Sequence, residues 1–219
     1  GPQRIIYSSP SRWRGLTFNN ATVKIYGSKF EKVENGEGGA FALCLTDCGL
    51  VDIRNNVFIN NTNDYTGGID NVYYFYSEPG EINQYFIGNT FTVGYSTLPA
   101  LQLQSFASIA VPVYIQSNIF TSSGNASNAI FMSNIYNGVI DQNTISGFAT
   151  AIDAASSDVS LYNNTIINAE NESRGLFGSS ISNFFMSTAD LYRLGGYNTI
   201  TNTAGFSKNI EVDNSIFNL

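Results

Sequence analysis

Apolar and polar residues alternate in short stretches along this chain, and most stretches end in a similar turn. In the stretch Val51–Phe58, two apolar residues flank Asp52, a polar turn ends at Asn56, and an apolar residue follows two positions later. A period of two that is interrupted every few residues by Asn or Gly is typical of short β-strands joined by tight turns. The pattern therefore predicts an all-β protein.

The same phrase, apolar-x-apolar-x-x-Asn/Ser-x-apolar, recurs along the chain at intervals of 17 to 34 residues. Such self-similarity indicates a solenoid or a propeller, and a propeller blade usually spans about 40 residues or more. Because each unit here is shorter and has three brief apolar patches, we expect a parallel β-helix of about seven to eight coils, in which every coil contributes one strand to each of three short parallel sheets. The polar anchors of the phrase are Ser28, Asn56, Asn89, Asn118, Asn143, Asn164, Asn198 and Ser215.

The repeated positions predict three structural roles. Inward Val, Ile and Phe residues are expected to stack from coil to coil, about 4.8 Å apart, and to form the core. The anchor Asn is expected to adopt the left-handed conformation of a sharp corner and to hydrogen-bond between coils through stacked amides. The glycine pairs Gly38–Gly39 and Gly67–Gly68 are expected to let the backbone turn into the next strand.

The repeat covers most of the chain. Residues 1–17 do not fit it and are interpreted as an N-terminal cap or the irregular end of a preceding coil, whereas residues 18–219 are expected to form the β-helix. Because an open sheet edge at the last residues would need a cover, we expect a segment of a longer solenoid, or self-association through the solenoid ends. The segment 70–95 contains the turn Pro79–Gly80 between aromatic residues and is predicted to leave the solenoid as a loop or hairpin.

The amino-acid composition and net charge indicate which classes of binding partner are disfavoured. Of the 219 residues, 12% are charged and 43% are hydrophobic, which is typical of a folded protein with a neutral polar surface and not of a disordered one. The net charge is −7 with only ten Lys and Arg residues, so nucleic acid and anionic membrane surfaces are disfavoured as partners. No apolar run reaches the roughly 18 residues of a membrane span, so we expect no such span in this segment.

Cysteines and glycosylation sequons leave alternatives open. The only two cysteines, Cys44 and Cys48, have the wrong spacing for a zinc motif, and the chain has no His. A turn between them would allow a disulfide, and two separate thiols are an equal alternative. Five sequons permit N-glycosylation, although about that many would arise by chance in such an Asn-rich chain; they begin at Asn20, Asn60, Asn125, Asn163 and Asn171.

Two short sequence motifs, Phe-x-x-Asn and Gly-Gly-Ala, together resemble those of a known family. Phe58–Asn61 and Phe131–Asn134 match Phe-x-x-Asn, and Gly38–Gly39–Ala40 matches Gly-Gly-Ala, which Phe41 follows in place of an aliphatic residue. The chain is thereby similar to the repeats of the chlamydial polymorphic outer membrane proteins, which are adhesins. This resemblance implies a right-handed parallel β-helix of pectin-lyase-like type and a role in adhesion.

The same resemblance carries an alternative function, because many pectin-lyase-like proteins are polysaccharide lyases or glycoside hydrolases. The hydrolases use several Asp and a His-containing motif, and the lyases use calcium-binding Asp clusters with an Arg or Lys base; the present chain has no His. Asp52, Asp141 and Asp213 lie in separate coils, and the pair Asp141 and Asp153 is more simply interpreted as solvated surface. We therefore expect no catalytic residues, no metal site and no cofactor.

Tyrosines supply the candidate partner surface. Tyr85 and Tyr114 fall at the same repeat position and are expected to stack on one outward face, while Tyr73, Tyr74 and Tyr76 lie in the predicted excursion. Exposed aromatic residues bind sugar rings or other proteins, although packing beneath a loop is an equal alternative. We expect a non-catalytic, secreted or cell-surface protein that acts in adhesion or as a structural fibre element, with a protein or glycan at a cell surface as its partner.

Overall fold

The part of the chain that the structure describes consists of β-strands. A computed structural model describes residues 15–31, 33, 40–59, 66–74, 82–94, 98–107 and 111–167, and then the segments 171–176, 180–182, 185–186, 192–194, 199–201, 210–212 and 216–218. The strands in chain order are β1 Leu16–Asn19, β2 Val23–Tyr26, β3 Lys29–Glu31, β4 Ala40–Thr46, β5 Leu50–Arg54, β6 Val57–Ile59, β7 Thr66–Tyr73, β8 Asn83–Ile87, β9 Thr90–Val93, β10 Leu101–Ser105, β11 Val113–Gln116, β12 Ile119–Ser133, β13 Tyr136–Asp141, β14 Thr144–Tyr162, β15 Thr165–Ile167, β16 Asn171–Leu176, β17 Ser180–Ser182, β18 Phe185–Met186, β19 Tyr192–Leu194, β20 Thr199–Thr201, β21 Ile210–Val212 and β22 Ile216–Asn218.

The strands stack in three columns, and every pairing between them is parallel. The first column contains β1, β4, β7, β10, the end of β12, the middle of β14, β16, β19 and β21. The second contains β2, β5, β8, β11, β13, the end of β14, β17, β20 and β22. The third contains β3, β6, β9, the starts of β12 and β14, β15 and β18. This arrangement confirms the predicted parallel all-β architecture and fits a parallel β-helix, or solenoid.

The columns are less separate than three independent sheets. Strand β14 begins in the third column, passes through the first and ends in the second, and β12 joins the third column to the first. In β14 only seven residues lead from Ile145 in the third column to Ile152 in the first, compared with thirteen from Phe30 to Leu43. The chain bends within this short connection at Gly147, whose φ is 76°, and the strand continues on both sides of the bend.

The register confirms the predicted inward positions of the repeated phrase. Phenylalanine rings stack in the third column, with centroid distances of 4.8 Å from Phe30 to Phe58, 4.8 Å from Phe58 to Phe91 and 4.7 Å from Phe91 to Phe120. Ile145 follows in the same column. Burial of these apolar columns supplies the main stabilisation of the fold. The paired residues of the second column are Ile25, Ile53, Phe86, Ile115, Ile140 and Leu161.

The anchor Asn residues form a buried stack of amides, which we call the Asn stack: Asn56, Asn89, Asn118, Asn143 and Asn164, each at most 1% exposed. The Nδ2 of each of the first four donates to Oδ1 of the next Asn at 2.9–3.1 Å, and Asn164 Nδ2 donates to the carbonyl of Ile140 at 2.7 Å. The Oδ1 atoms also accept backbone N–H groups at 2.8–3.0 Å. The predicted hydrogen bonding between coils is therefore present.

The predicted backbone conformation of these Asn residues is wrong by one position. The left-handed residue is the one before each anchor, with φ of 61° at Gly27, 54° at Asn55, 64° at Gly88, 54° at Ser117, 55° at Gln142 and 52° at Asn163. The corner needs two different properties, a residue that tolerates positive φ and an amide that points into the core. The residue before the anchor supplies the positive φ, and the anchor Asn supplies the amide.

The role predicted for Gly67–Gly68 is also corrected. Both glycines lie inside β7 and are buried, so they do not make a turn. A Cβ on Gly67 would overlap the ring of Phe41, and one on Gly68 would lie 2.8 Å from the ring of Phe91. Side chains are excluded here because the strand passes directly beneath aromatic rings. The pair Gly38–Gly39 lies outside the described residues.

Three segment predictions have mixed outcomes. Strand β1 begins at Leu16, two residues before the expected start of the coils, and residues 1–14 lie outside the described part.

Most of the segment 70–95 is not an excursion, because it contains the end of β7 and all of β8 and β9, which pair in register with their neighbours. Residues 75–81, which include Pro79–Gly80, are outside the described residues.

Candidate functional site

The connection between the first and second columns varies in length at one place. Between paired positions it takes five residues from Thr46 to Val51, twelve from Val72 to Gln84, nine from Gln104 to Val113 and five from Ser133 to Gly138. Two successive coils, here called the insertion coils, therefore carry extra residues at the same corner. Insertions in repeat proteins map to loops on one face, which is often the binding face.

An exposed pair of aromatic rings lies where this corner begins. Tyr74 follows β7, Phe106 follows β10, and their rings stack with centroids 5.3 Å apart and planes 6° apart. The two side chains are 51% and 61% exposed. Backbone contacts position them, since Tyr74 N donates to Asp47 Oδ1 at 2.8 Å and Phe106 N donates to Tyr73 O at 2.7 Å. Tyr74 is thus at the surface, as predicted.

Phe106 is a site residue that the sequence pattern missed. It follows the strand Leu101–Ser105 and belongs to no copy of the repeated phrase, so nothing local marked it as outward. The available signal was the alignment of Ile69 with Leu101, which places Phe106 beside Tyr74 one coil away.

A second aromatic pair lies on the outward face of the second column in the same two coils. Tyr85 in β8 pairs in register with Tyr114 in β11, and their rings stack with centroids 5.2 Å apart and planes 11° apart. Both are partly exposed. The predicted stacking of these two tyrosines on one outward face is therefore confirmed.

Arg54 covers the other side of Tyr85. Its Cζ lies 5.5 Å from the ring centroid, within the range of a cation–π interaction. Arg54 Nε donates to Asp52 Oδ1, and Tyr26 Oη donates to Asp52 Oδ2 at 2.6 Å. These bonds to Asp52 raise the pKa of both Arg54 and Tyr26. Lys24 pairs in register with Asp52, as the repeat predicted, while the carboxylate bonds Arg54 and Tyr26.

Tyr73 is buried, contrary to the prediction that it belongs to an exposed partner surface. It is 1% exposed, and its hydroxyl donates to the carbonyl of Cys48 at 3.0 Å. Alternation along β7 directs Tyr73 inward like Ile69, whereas Tyr74 lies beyond the strand end. Tyr76, the remaining predicted residue, lies outside the described residues.

A buried polar cluster supports the corner from inside. Asn71 and Gln84 are both 0% exposed, and Asn71 Nδ2 donates to Gln84 Oε1 at 3.0 Å. Gln84 Nε2 in turn donates to the carbonyl of Gly49 at 2.8 Å and to that of Cys48 at 3.3 Å. The cluster thus ties the corner of one coil to the longer corner of the next, a role that no sequence motif indicated.

The two cysteines are separate free thiols in this structure. Cys44 is partly exposed on β4, whereas Cys48 is buried at the corner, where its Sγ lies 3.5 Å from the carbonyl oxygen of Phe18. Burial is the main cause that raises the pKa of both thiols, which favours the protonated, less nucleophilic form.

Two of the five sequons can be located in full. Asn20 and Asn163 are exposed, with φ of 49° and 52°, and Asn163 Nδ2 donates to Asp141 Oδ1 at 3.0 Å. Asn125 and Asn171 lie in β12 and β16, in stretches where only the backbone is described, and Asn60 is outside the described residues. Glycosylation at all five sequons stays a prediction.

The candidate acidic residues Asp141 and Asp153 differ in their exposure to solvent. Asp153 is 9% exposed, so its interpretation as a solvated residue is wrong, while Asp141 is partly exposed beside Asn163. In the described part of the chain, no three His, Cys, Asp or Glu side chains are grouped so that they could hold a metal ion. The cavity between Phe58 and Gly68 has about 20 Å³, room for about one water molecule.

Comparisons with known proteins identify no relative. No protein-family model, no curated protein and no solved structure matches this chain. Across the described ranges, no helix is long and apolar enough to cross a membrane.

Proposed function

We propose that this chain is a non-catalytic extracellular or cell-surface protein that acts in adhesion, by binding a protein or glycan of another surface. In this proposal the strands form a right-handed β-helix of pectin-lyase-like type with about seven to eight coils, similar to the repeats of the chlamydial adhesins. A structural fibre element is the competing role for the same architecture.

One observation carries the proposal. The two corner insertions, the exposed pair Tyr74–Phe106 and the outward pair Tyr85–Tyr114 all occur in the same two coils. An aromatic surface on a rigid scaffold binds at low entropic cost, since Tyr and Phe have few rotatable bonds. A fibre element would require no such concentration in two coils.

Binding of the labelled chain to cultured animal cells, measured by flow cytometry, tests the proposal. We expect saturable binding that falls at least about tenfold in the double variants Tyr74→Ser/Phe106→Ser and Tyr85→Ser/Tyr114→Ser, as hot-spot aromatics at interfaces do. Tyr136→Ser is the matched control, because Tyr136 is 49% exposed but lies outside the insertion coils. Pretreating the cells with trypsin or with glycosidases separates protein from glycan partners.

Two results would overturn the adhesive role. One is the absence of saturable binding to every cell type, together with filaments that form from the purified chain in electron micrographs, which would favour the fibre element. The other is binding that neither double variant weakens relative to Tyr136→Ser, which would move the contact away from the insertion coils.

A further inference from the structure

The Arg54 side chain is held in place but its outer nitrogens are not engaged. Within the described residues only its Nε donates a hydrogen bond, to Asp52 Oδ1, and its Cζ lies 5.5 Å from the ring centroid of Tyr85. The side chain remains 41% exposed. Asp52 is itself fixed by the Tyr26 hydroxyl at 2.6 Å. The two Nη groups therefore have a preset direction and can donate two parallel hydrogen bonds to one planar anion.

The surroundings of Arg54 favour a carboxylate over a neutral ligand. Lys24 pairs in register with Asp52 and is exposed, so Lys24, Arg54 and Asp52 bring two positive charges and one negative charge to this end of the second column. The local charge is positive on a chain whose net charge is −7. This site would attract an acidic group that the rest of the surface repels.

The aromatic pair beside Arg54 favours a polypeptide over a sugar. One face of Tyr85 is covered by Arg54 and the other by Tyr114, so the pair exposes ring edges and hydroxyls rather than a free face between them. A pyranose ring stacks on an open aromatic face, which Tyr85 lacks. Ile87 in β8 and Val139 in β13 extend the apolar surface along the same column, and polar residues surround it. An apolar centre with Tyr and Arg and a polar rim is typical of protein interfaces.

We propose that Arg54, oriented by Asp52 and Tyr85, binds an Asp or Glu side chain of a partner protein, whose neighbouring apolar residue packs on Tyr114 and Ile87. This inference rests on the proposed adhesive function and specifies its partner as a protein with an acidic contact residue. Asp52 is a positioning residue in this site, because it acts through Arg54.

A displayed library of random peptides, selected on the whole chain, tests the inference. We expect the selected peptides to contain Asp or Glu, with a Kd that weakens about tenfold or more for Arg54→Gln and less for Arg54→Lys, because Lys cannot donate two parallel bonds. Replacing the acidic peptide residue by its amide should weaken binding to the native chain by a similar factor and have no further effect on Arg54→Gln. Lys29 is an exposed cation paired with Glu31, so Lys29→Gln serves as the control and should bind normally.

The outcomes separate this inference from the adhesive function. Selected peptides without acidic residues, or equal binding to Arg54→Gln and the native chain, would overturn the carboxylate site even if cells still bind. Arg54-dependent binding of sialyllactose or of uronic-acid oligosaccharides, without acidic peptides, would replace the protein partner by a glycan. Failure of cell binding with intact Arg54-dependent peptide binding would overturn only the adhesive role.

Discussion

At the scale of single residues, the Asn stack has the strictest chemical requirement in the described chain. Asn118 accepts from the backbone N–H of Asn89 at 2.8 Å and donates to the carbonyl of Phe86 at 2.8 Å and to Asn143 Oδ1 at 3.0 Å. Only an amide both donates and accepts in this geometry, because a carboxylate has no donor and a hydroxyl is too short. Buried polar groups left without partners are costly, so each Asn depends on its neighbours.

Substitution within the stack should therefore be severe. We expect Asn118→Ala to lower the free energy of unfolding by about 2–4 kcal/mol, because it leaves two buried backbone groups and two neighbouring amides with lost partners. Denaturant titration monitored by circular dichroism measures this. The adjacent Ser117→Gly is the control and should be neutral or slightly stabilising, since φ there is 54°. Equal stability of Asn118→Ala and the native chain would contradict the proposed role of the stack.

Asp70 makes stability depend on pH. Its carboxylate accepts from Gln102 Nε2 at 3.0 Å, but burial is the larger effect and raises its pKa. The folded chain then binds a proton more tightly than the unfolded chain, so stability falls as pH rises from the ordinary carboxyl range through the raised pKa of Asp70.

The isosteric variant tests this. We expect Asp70→Asn to be more stable than the native chain at pH 7 and to lose that advantage at acidic pH, where Asp70 is protonated in both states. Thermal unfolding between pH 3 and pH 7 measures the difference. A constant offset between the two proteins across this range would show that Asp70 does not titrate differently on folding.

At the scale of structural elements, the three corners differ in how much length they tolerate. Between the second column and the third, the inward residue of the third column always lies five positions after that of the second. Examples are Ile53 and Phe58, and Ile115 and Phe120. The Asn stack lies within this corner and requires one amide per coil at a constant position. Among the described residues, the corner from the first column to the second has no such stack, and its length ranges from four residues, between Asn19 and Val23, to twelve, between Val72 and Gln84.

Changes of length should accordingly have opposite outcomes at the two corners. Insertion of one Gly after Ser117 should prevent cooperative unfolding, because it displaces Asn118 from the stack and shifts the strand register. Deletion of residues 76–80 should change the free energy of unfolding by less than about 1 kcal/mol, since loop length affects stability weakly. It leaves seven residues from Val72 to Gln84, still more than the five that suffice in the preceding coil. Unfolding of the deletion variant at low denaturant would refute the distinction.

At the scale of the whole molecule, the stabilising interior and the proposed binding surface are different parts of the same repeat. Apolar columns and the Asn stack fill the interior of every described coil up to Ile166, so the fold does not depend on the aromatic surface of the insertion coils. The cavity beside Phe58, at about 20 Å³, is far below the roughly 300 Å³ of a small-molecule pocket. The cavity beside Phe58 is therefore too small to hold a sugar ring.

We therefore expect no turnover of acidic polysaccharides. Incubation with pectin, pectate or alginate, with and without calcium, should release no unsaturated product or reducing ends above background, because no three acidic side chains are grouped as a metal site among the described residues. Asp141→Asn should be indistinguishable from the native chain. Product release that disappears in Asp141→Asn would establish the polysaccharide-active alternative instead.

The sequence by itself determined the inward residues, the all-β parallel architecture and the position of the Asn corner. These features repeat because each coil must place the same side chains above those of the coil before. The corner between the second and third columns has a constant length, so this periodicity can be recognised in the sequence. The stacking of Tyr85 on Tyr114 could be predicted for the same reason, since both lie within the periodic segments.

Only the tertiary structure decided which residues form the rest of the candidate site. The insertions interrupt the periodicity next to Tyr73 and Tyr74, so the sequence could not tell that one ring is buried and the other exposed. Phe106 joins Tyr74, and Arg54 covers Tyr85, because parallel stacking brings together residues about 30 positions apart. Such lateral contacts depend on the register between coils, and the physical reason lies there: a local pattern specifies which way a side chain points, but not what lies beside it.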